Sequence, residues 1–164
     1  MERELKPSES VVVRNLRPED LEAVIAVDAR IVGRRREEYF RVKLQQNLSE
    51  TGIKISLAAE KDRLFCGFVL ARVYYGEFGT MEPVAVLDTL GVHPGFRGQG
   101  VGAALLRQLR MNLSGLGVSR LRTEVGWDDL PLMGFFHHHG FRPAPRFCLD
   151  LDLTTPLREE EETP

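Results

Sequence analysis

Three glycines at alternate positions form the segment of this sequence best suited to binding a charged ligand. They lie in the run Arg97-Gly98-Gln99-Gly100-Val101-Gly102-Ala103, just ahead of an apolar, helix-like stretch. Glycines leave no side chains between an anion and the loop amides, and a helix N-terminus adds unpaired N–H groups and a favourable dipole. Arg97 adds a permanent cation. The segment therefore predicts a pyrophosphate site.

Two other phosphate-binding loops fit this spacing less well. A Walker A loop ends in Gly-Lys-Ser or Gly-Lys-Thr, whereas Gly102 is followed by Ala103 and Ala104. A dinucleotide fingerprint is matched superficially by Gly98, Gly100 and Ala103, and Glu124 lies at about the distance of a ribose-binding acid. However, five residues separate the preceding strand from the first glycine, and no second mononucleotide half follows.

Hydrophobic periodicity places this loop in a strand–helix–strand unit. The pattern predicts a strand over 84–92, a helix over 100–116 and a returning strand over 120–125. A short helix ending at His139 and a last strand over 141–153 are expected to follow. The first half predicts strands over 10–16, 53–59 and 64–75, a helix opened by Pro18, and a second helix over 37–48. This order indicates an α+β sandwich with a mixed central sheet.

The loop closely resembles motif A of the GCN5-related N-acetyltransferases, usually written Gln/Arg-x-x-Gly-x-Gly/Ala. Arg97-Gly98-Gln99-Gly100-Val101-Gly102 matches that motif, and Leu90-Gly91-Val92-His93-Pro94 resembles the strand and proline before it. Phe135-Phe136-His137-His138-His139-Gly140-Phe141 resembles the end of motif B. The resemblance spans roughly residues 11–153, the first half by element order alone. It implies a mostly antiparallel sheet with a splayed pair of strands, and direct transfer of acetyl from acetyl-CoA to an amine.

The resemblance also implies which residues hold the cofactor. The strands over 84–92 and 120–125 would splay apart, and the pantetheine arm would pair with the backbone of the first as an added strand. An N–H in that strand would polarise the thioester oxygen, and Gly91 would ease a bulge. The implied cofactor-binding residues are Leu90, Gly91, Val92, Arg97, Gly98, Gln99, Gly100, Val101, Gly102 and Ala103.

A protonated amine must lose a proton before it attacks a thioester, so the reaction needs a proton acceptor, either a carboxylate or water relayed to one. Glu124 is the first candidate base, because strand alternation places it opposite Thr123 and Val125 and its position resembles a family glutamate. Asp88 is second, since a carboxylate alternating with valines and a leucine needs a partner or a function. Asp28 and Glu82 are weaker candidates.

The general acid of many family members is a motif B tyrosine, but the matching residue here is Phe136. Tyr39, Tyr74 and Tyr75 are conceivable substitutes, and the thiolate could also take a proton from water. The missing tyrosine keeps an alternative open, a non-catalytic acyl-CoA sensor of the same fold.

Composition sets limits on the wider function. The 164 residues, 43% hydrophobic, suffice for one core, and we predict a polar leader over 1–9, one acetyltransferase domain over 10–153 and a disordered acidic tail over 154–164. A net charge of -2 argues against nucleic acid as a partner. Apolar stretches are short, so no membrane partner and a cytoplasmic location are expected. The expected acceptor is an amine-bearing small molecule, protein or peptide, and a homodimer is a reasonable expectation.

The cysteines and histidines give no sign of a metal centre. Cys66 and Cys148 lie far apart without C-x-x-C spacing, so both are predicted to be reduced core residues. The run of histidines over 137–139 lies in a predicted helix, where successive side chains point about a hundred degrees apart and cannot converge on one ion. We expect no metal.

Overall fold

The computed structural model describes residues 10–49, 55–76 and 79–154. The predicted polar leader over 1–9, and the predicted acidic tail beyond Thr154, lie outside the described residues. The chain divides into two compact units, residues 1–127 and residues 128–164. The sheet, the first three helices and the glycine loop all belong to the first unit.

In residues 10–49, 55–76 and 79–154, five strands form one mixed sheet in the order β1-β2-β3-β4-β5. Their bounds are β1 Val12–Asn15, β2 Leu57–Lys61, β3 Leu64–Tyr74, β4 Val84–Val92 and β5 Arg120–Thr123. The pairs β1–β2, β2–β3 and β3–β4 are antiparallel, and the pair β4–β5 is parallel. The parallel pair results from the helical crossover between these strands, as the strand–helix–strand pattern predicted. The α+β prediction is confirmed.

Three helices of the described residues cover the sheet of the first unit. They are α1 Leu21–Val32, α2 Glu37–Ser49 and α3 Val101–Gly115. A 3-10 turn over Pro18–Asp20 leads into α1, which ends at Gly33, whose φ of 79° lets its N–H bond to the Ala29 carbonyl. The observed ends of α2 and α3 lie within one residue of their predicted ends.

The helices pack on opposite faces of the sheet. Phe40 of α2 meets Phe68 of β3 edge to face, with ring centroids 5.8 Å apart, inside an apolar cluster that also contains Val24 of α1. Side chains alternate along a strand, so Gly67 points to the other face. A Cβ on Gly67 would lie 2.8 Å from Val101 Cγ1, which shows how closely α3 approaches β3.

The described part of the second unit contains one helix, α4, over Leu130–His138. Its N-cap is Asp129, whose carboxylate accepts a hydrogen bond from the Leu132 N–H at 3.1 Å. Phe136 is buried, and its ring lies 4.9 Å from that of Phe141.

The predicted last strand over 141–153 is wrong. The residues described after α4, which run to Thr154, form no strand. The segment alternates apolar and polar residues as a strand does, but a strand also needs a neighbour for its backbone groups, and alternation cannot supply one. Cys148 is exposed in this segment, so the expectation that both cysteines are core residues holds only for Cys66.

Candidate active site

The strands β4 and β5 pair over only half the length of β4. The register joins Val84–Leu87 to Arg120–Thr123, and Leu87 with Thr123 is the last pair. The Thr123 hydroxyl donates to the Leu87 carbonyl at 3.0 Å and closes this end of the ladder. From Asp88 to Val92, β4 has no described strand beside it on this edge. The predicted separation of the two strands is present.

The backbone of β4 presents polar groups along this open edge. The His93 N–H donates to the Cys66 carbonyl of β3 at 2.8 Å. Positions that bond to the partner strand alternate in an antiparallel ladder. Val92 and Leu90, one and three residues earlier, therefore direct their N–H and C=O groups away from β3 and toward the open side.

A bulge marks the point where β4 leaves β5. Leu70 pairs with Thr89 and the next residue of β3 pairs with Leu87, so Asp88 is an extra residue in β4. Bulges bend the strand that carries them and increase its local twist. We attribute the parting of β4 from β5 after Leu87 to this bend.

Gly91 does not form the bulge that we expected there. It pairs regularly with Phe68 in the β3–β4 ladder. A Cβ on Gly91 would lie 2.6 Å from Cε1 of the Phe68 ring, well inside van der Waals contact. Glycine is required at this position because the Phe68 ring crosses directly over its backbone.

The two best candidate bases both lie where β4 and β5 part. Asp88 and Glu124 each follow the last β4–β5 pair by one residue. Continuing the alternation beyond Thr123 places Glu124 on the face opposite to Thr123, the face on which Asp88 lies. Asp88 Oδ2 forms an ion pair with Lys43 Nζ at 2.9 Å. Glu124 is exposed, and no residue in the described ranges forms an ion pair with it.

The two weaker carboxylate candidates lie in different settings. Asp28 is buried in α1, and both of its oxygens accept hydrogen bonds from Arg36, at 2.6 and 2.8 Å. This pairing accounts for a carboxylate on an apolar stripe, and the Asp28 carboxylate raises the pKa of Arg36 further above its ordinary value. Glu82 lies exposed in the loop before β4.

Lys43 is a residue of this site that sequence reasoning missed. It lies one helical turn after Tyr39 in α2, and its ammonium is 5.7 Å from the centre of the Tyr39 ring. The spacing of four residues between Tyr39 and Lys43 is the available signal, but nothing local indicates that Lys43 of α2 reaches Asp88 of β4. Tyr39, half-exposed, is thereby placed beside the Lys43–Asp88 pair.

The glycine loop follows β4 and leads into α3. A 3-10 turn over Pro94–Phe96 comes first, and the His93 ring nitrogen Nδ1 accepts from the Gly95 N–H at 2.9 Å. Gly98 and Gly100 have φ of 74° and 80°, a region that strongly favours glycine. A Cβ on either would point into open space.

Most of the loop amides are available to a ligand. The Arg97 N–H forms a long hydrogen bond, 3.4 Å, to the Pro94 carbonyl. For the N–H groups from Gly98 to Ala103, neither a carbonyl nor a side chain of the described residues is an acceptor. The Gln99 side chain turns back instead, accepting from Lys61 Nζ at 2.7 Å. A row of six free donors at a helix N-terminus can bind an anion.

Other kinds of site are not seen in the described part of the chain. Among its His, Cys, Asp and Glu side chains, no group of three is placed to hold a metal ion. Of the helices there, none is long and apolar enough to cross a membrane.

Comparison with known proteins identifies relatives of this architecture. Residues 18–141 match the acetyltransferase (GNAT) family. An aminoglycoside N-acetyltransferase solved with CoA has a TM-score of 0.75 at 18% identity, covering 91% of this chain and 99% of that chain. A ribosomal-protein-alanine N-acetyltransferase from Brucella melitensis biovar Abortus 2308 has 0.71 at 20%, covering 87% and 98%. A transcriptional regulator from Bacillus halodurans C-125 has 0.74 at 17%, covering 87% and 99%. At these identities the three structures share the fold.

Proposed function

Because this chain belongs to the acetyltransferase (GNAT) family, we propose that it transfers an acetyl group from acetyl-CoA directly to a primary amine. One observation carries the proposal: β4 and the glycine loop that follows it each present a set of free backbone donors. One set faces the open edge of β4, and the other lies between Gly98 and Ala103. An extended ligand with a diphosphate at one end suits both.

In this proposal the diphosphate of acetyl-CoA lies on the amides of residues 98–103, with Arg97 contributing its charge. The pantetheine arm runs along β4 and pairs with Leu90 and Val92. The N–H of one of these residues donates to the thioester oxygen and stabilises the oxyanion formed during attack. The open edge supports this arrangement because β5 leaves those groups without a partner strand.

The chemistry needs one proton acceptor and one proton donor. Glu124, directly or through water, takes one proton from the ammonium, and the neutral nitrogen then attacks the thioester carbon; the carbon–sulfur bond breaks and the nitrogen loses a second proton to solvent. Asp88 fits the role of base less well, because Lys43 already neutralises its charge. The departing thiolate takes its proton from Tyr39 or from water, because Phe136 carries no hydroxyl.

The acceptor is proposed to be a cationic amine on a small molecule, a protein N-terminus or a lysine. The exposed Glu124 carboxylate supports this class, since it attracts a protonated amine before it removes the proton.

The test is a turnover assay with three acceptors: a peptide with a free N-terminus, a lysine peptide with a blocked N-terminus, and a polyamine. Release of free thiol from acetyl-CoA and an acetylated product by mass spectrometry are expected for at least one. Calorimetry with acetyl-CoA is run in parallel. Binding without turnover on any amine would contradict the transfer and favour a sensor. Absence of binding would contradict the cofactor assignment.

A further inference from the structure

Lys61, at the tip of the hairpin formed by β2 and β3, contacts the glycine loop directly. Its ammonium donates to the side-chain oxygen of Gln99 at 2.7 Å, although the two residues are 38 positions apart in the sequence. The Gln99 amide nitrogen in turn donates to the Gly95 carbonyl at 3.3 Å. The Gln99 side chain is therefore tied both to the hairpin and to the turn that precedes the glycines.

A tight turn fixes Lys61 at this position. Lys61 pairs with Leu64 at the end of the β2–β3 ladder, so only Asp62 and Arg63 connect the two strands. Both have left-handed backbone, with φ of 51° and 64°, as a two-residue hairpin turn of this kind requires. Glycine is the usual second residue of such a turn. A left-handed arginine costs free energy, and costs of this kind are concentrated at functional sites.

A second connection joins the hairpin to the start of the loop. The register of β2 and β3 shifts between Ala59 and Glu60, which leaves Cys66 as an extra residue in β3. Such a bulge bends the strand that carries it. The carbonyl of Cys66 accepts a hydrogen bond at 2.8 Å from the N–H of His93, the first residue after β4. The hairpin thus holds the loop at His93 and again at Gln99.

Lys61 also brings a positive charge to the loop. Its neighbour Glu60 is bound by Arg14, and no carboxylate of the described residues forms an ion pair with Lys61. The sequence from 89 to 123 contains neither Asp nor Glu, so the loop has no acid of its own to offset this charge. The half-buried ammonium therefore favours an anion at the loop.

On the premise of the proposed function, that the loop binds the diphosphate of acetyl-CoA, we propose that Lys61 is a positioning residue for this site and acts through Gln99. The loop contains Gly98, Gly100 and Gly102, and a glycine-rich loop loses much conformational freedom when a ligand orders it. The contacts of Gln99 restrict the loop before the ligand arrives, so that binding has less of it to order. Lys61 therefore raises the affinity for the nucleotide part of the donor and leaves the chemical step unchanged.

The first test compares Lys61→Met, which lacks both the donor and the charge, with the wild type by calorimetry with acetyl-CoA. The dissociation constant is expected to rise about fivefold, the effect of one lost hydrogen bond. Lys61→Arg keeps a donor and the charge and should stay within about twofold of the wild type. Arg63→Met is the matched control and should also bind like the wild type, because it removes a cation of the same turn that has no hydrogen-bond or ion-pair partner among the described residues.

Two acetyl donors distinguish this role from a general structural one. With an acceptor that supports turnover, Lys61→Met should lower kcat/KM for acetyl-CoA about fivefold and leave kcat unchanged. For acetylpantetheine, which carries no diphosphate, kcat/KM should be the same in both proteins. A Lys61→Met protein that binds acetyl-CoA like the wild type, or one that loses activity equally with both donors, overturns this inference alone. A wild type that binds no acetyl-CoA overturns the proposed function as well, so the two failures are distinguishable.

The second test asks whether Lys61 acts through Gln99. Gln99→Leu removes the acceptor of the Lys61 hydrogen bond and is expected to weaken acetyl-CoA binding by a similar factor. Because both changes break the same contact, the double variant should bind no more weakly than Lys61→Met alone. Effects that multiply in the double variant, to a dissociation constant about 25-fold above the wild-type value, would overturn the assignment to Gln99.

Discussion

Asp88 and Glu124 each follow the last residue pair between β4 and β5, but only Asp88 has a cationic neighbour. The Lys43 ammonium, 2.9 Å from Asp88, neutralises the charge of that carboxylate. Glu124 faces solvent, where an incoming ammonium can reach it. In the proposed reaction Glu124 therefore handles the proton, and Asp88 anchors α2 to β4 through Lys43.

We predict that Glu124→Gln lowers kcat/KM for the amine by about 10²–10⁴, the usual contribution of a general base. Affinity for acetyl-CoA should not change, because in the proposed complex the loop amides and the edge of β4, not Glu124, hold the cofactor. Glu82→Gln, which removes another exposed carboxylate near β4, is the control and should retain activity. The measurement is initial rate against amine concentration. A Glu124→Gln enzyme as active as the control would remove Glu124 from the mechanism.

The residues of this site could be predicted from the sequence only in part. Strand periodicity and the resemblance to a family glutamate predict Glu124, and an unexplained charge in an apolar strand predicts Asp88. Lys43 could not be predicted, since its ion pair joins an α2 residue to a distant residue of β4. The prediction of a buried Cys148 is wrong because residue type alone does not determine burial.

At the scale of elements, β4 and the loop after it organise the proposed site. The bulge at Asp88 turns the strand away from β5, and the glycines that follow leave the amides uncovered. Gly91 and Gly100 have different structural roles, and one substitution at each position can distinguish these roles. Gly100 has a left-handed backbone conformation, and a Cβ added to it would meet no other atom. Gly91 has an ordinary backbone conformation, but a Cβ added to it would clash with Phe68.

Gly100→Glu is predicted to abolish acetyl-CoA binding, because its side chain occupies the anion site and repels the phosphates. The control is Gly33→Glu, which has nearly the same φ, 79° against 80°, and equally open surroundings. Both variants carry a similar backbone strain of about 1–2 kcal/mol, so only the location differs. Calorimetry should detect binding in the control alone. Equal affinity in the two variants would count against the loop as the phosphate site.

Gly91→Ala is predicted to destabilise the fold by about 1–3 kcal/mol, as overpacking does, because the new methyl group meets the Phe68 ring at 2.6 Å. Gly115→Ala, at the end of α3, provides the comparison. Its Cβ would meet nothing within 4 Å, so it should be neutral or stabilise by up to about 1 kcal/mol. Urea unfolding measures both. A Gly91→Ala protein as stable as wild type would show that Phe68 moves aside freely.

Elements with strong local signals were predicted well, and those that need a distant partner were not. The bounds of β4 are as predicted because valines and the following proline delimit it. The strand over 141–153 is predicted from the same kind of alternation, but the described residues after α4 form no strand. The alternation of apolar and polar residues is typical of a strand, but it does not identify the strand that pairs with it.

At the scale of the whole molecule, one arginine ties three elements of the first unit together. Arg14 in β1 binds both oxygens of Asp20, each at 2.8 Å, and also Glu60 in β2 at 2.7 Å. Asp20 additionally accepts from the Arg17 N–H at 2.8 Å and so fixes the turn that opens α1. Burial raises the pKa of Asp20, but these hydrogen bonds outweigh it and hold the pKa below its ordinary value.

This lowered pKa predicts how the stability of the protein depends on pH. A carboxyl group whose pKa is lower when folded stabilises fully above its unfolded pKa of about 3.9, and that contribution disappears as pH falls through the folded value. Asp20→Asn should therefore lower the free energy of unfolding by about 2 kcal/mol at pH 7, and the difference from wild type should shrink below about pH 4. Urea unfolding at several pH values measures this, with the exposed neighbour Glu19→Gln as control. A difference that stays constant down to the acid transition would mean that packing around Asp20, rather than its charge, supports the fold.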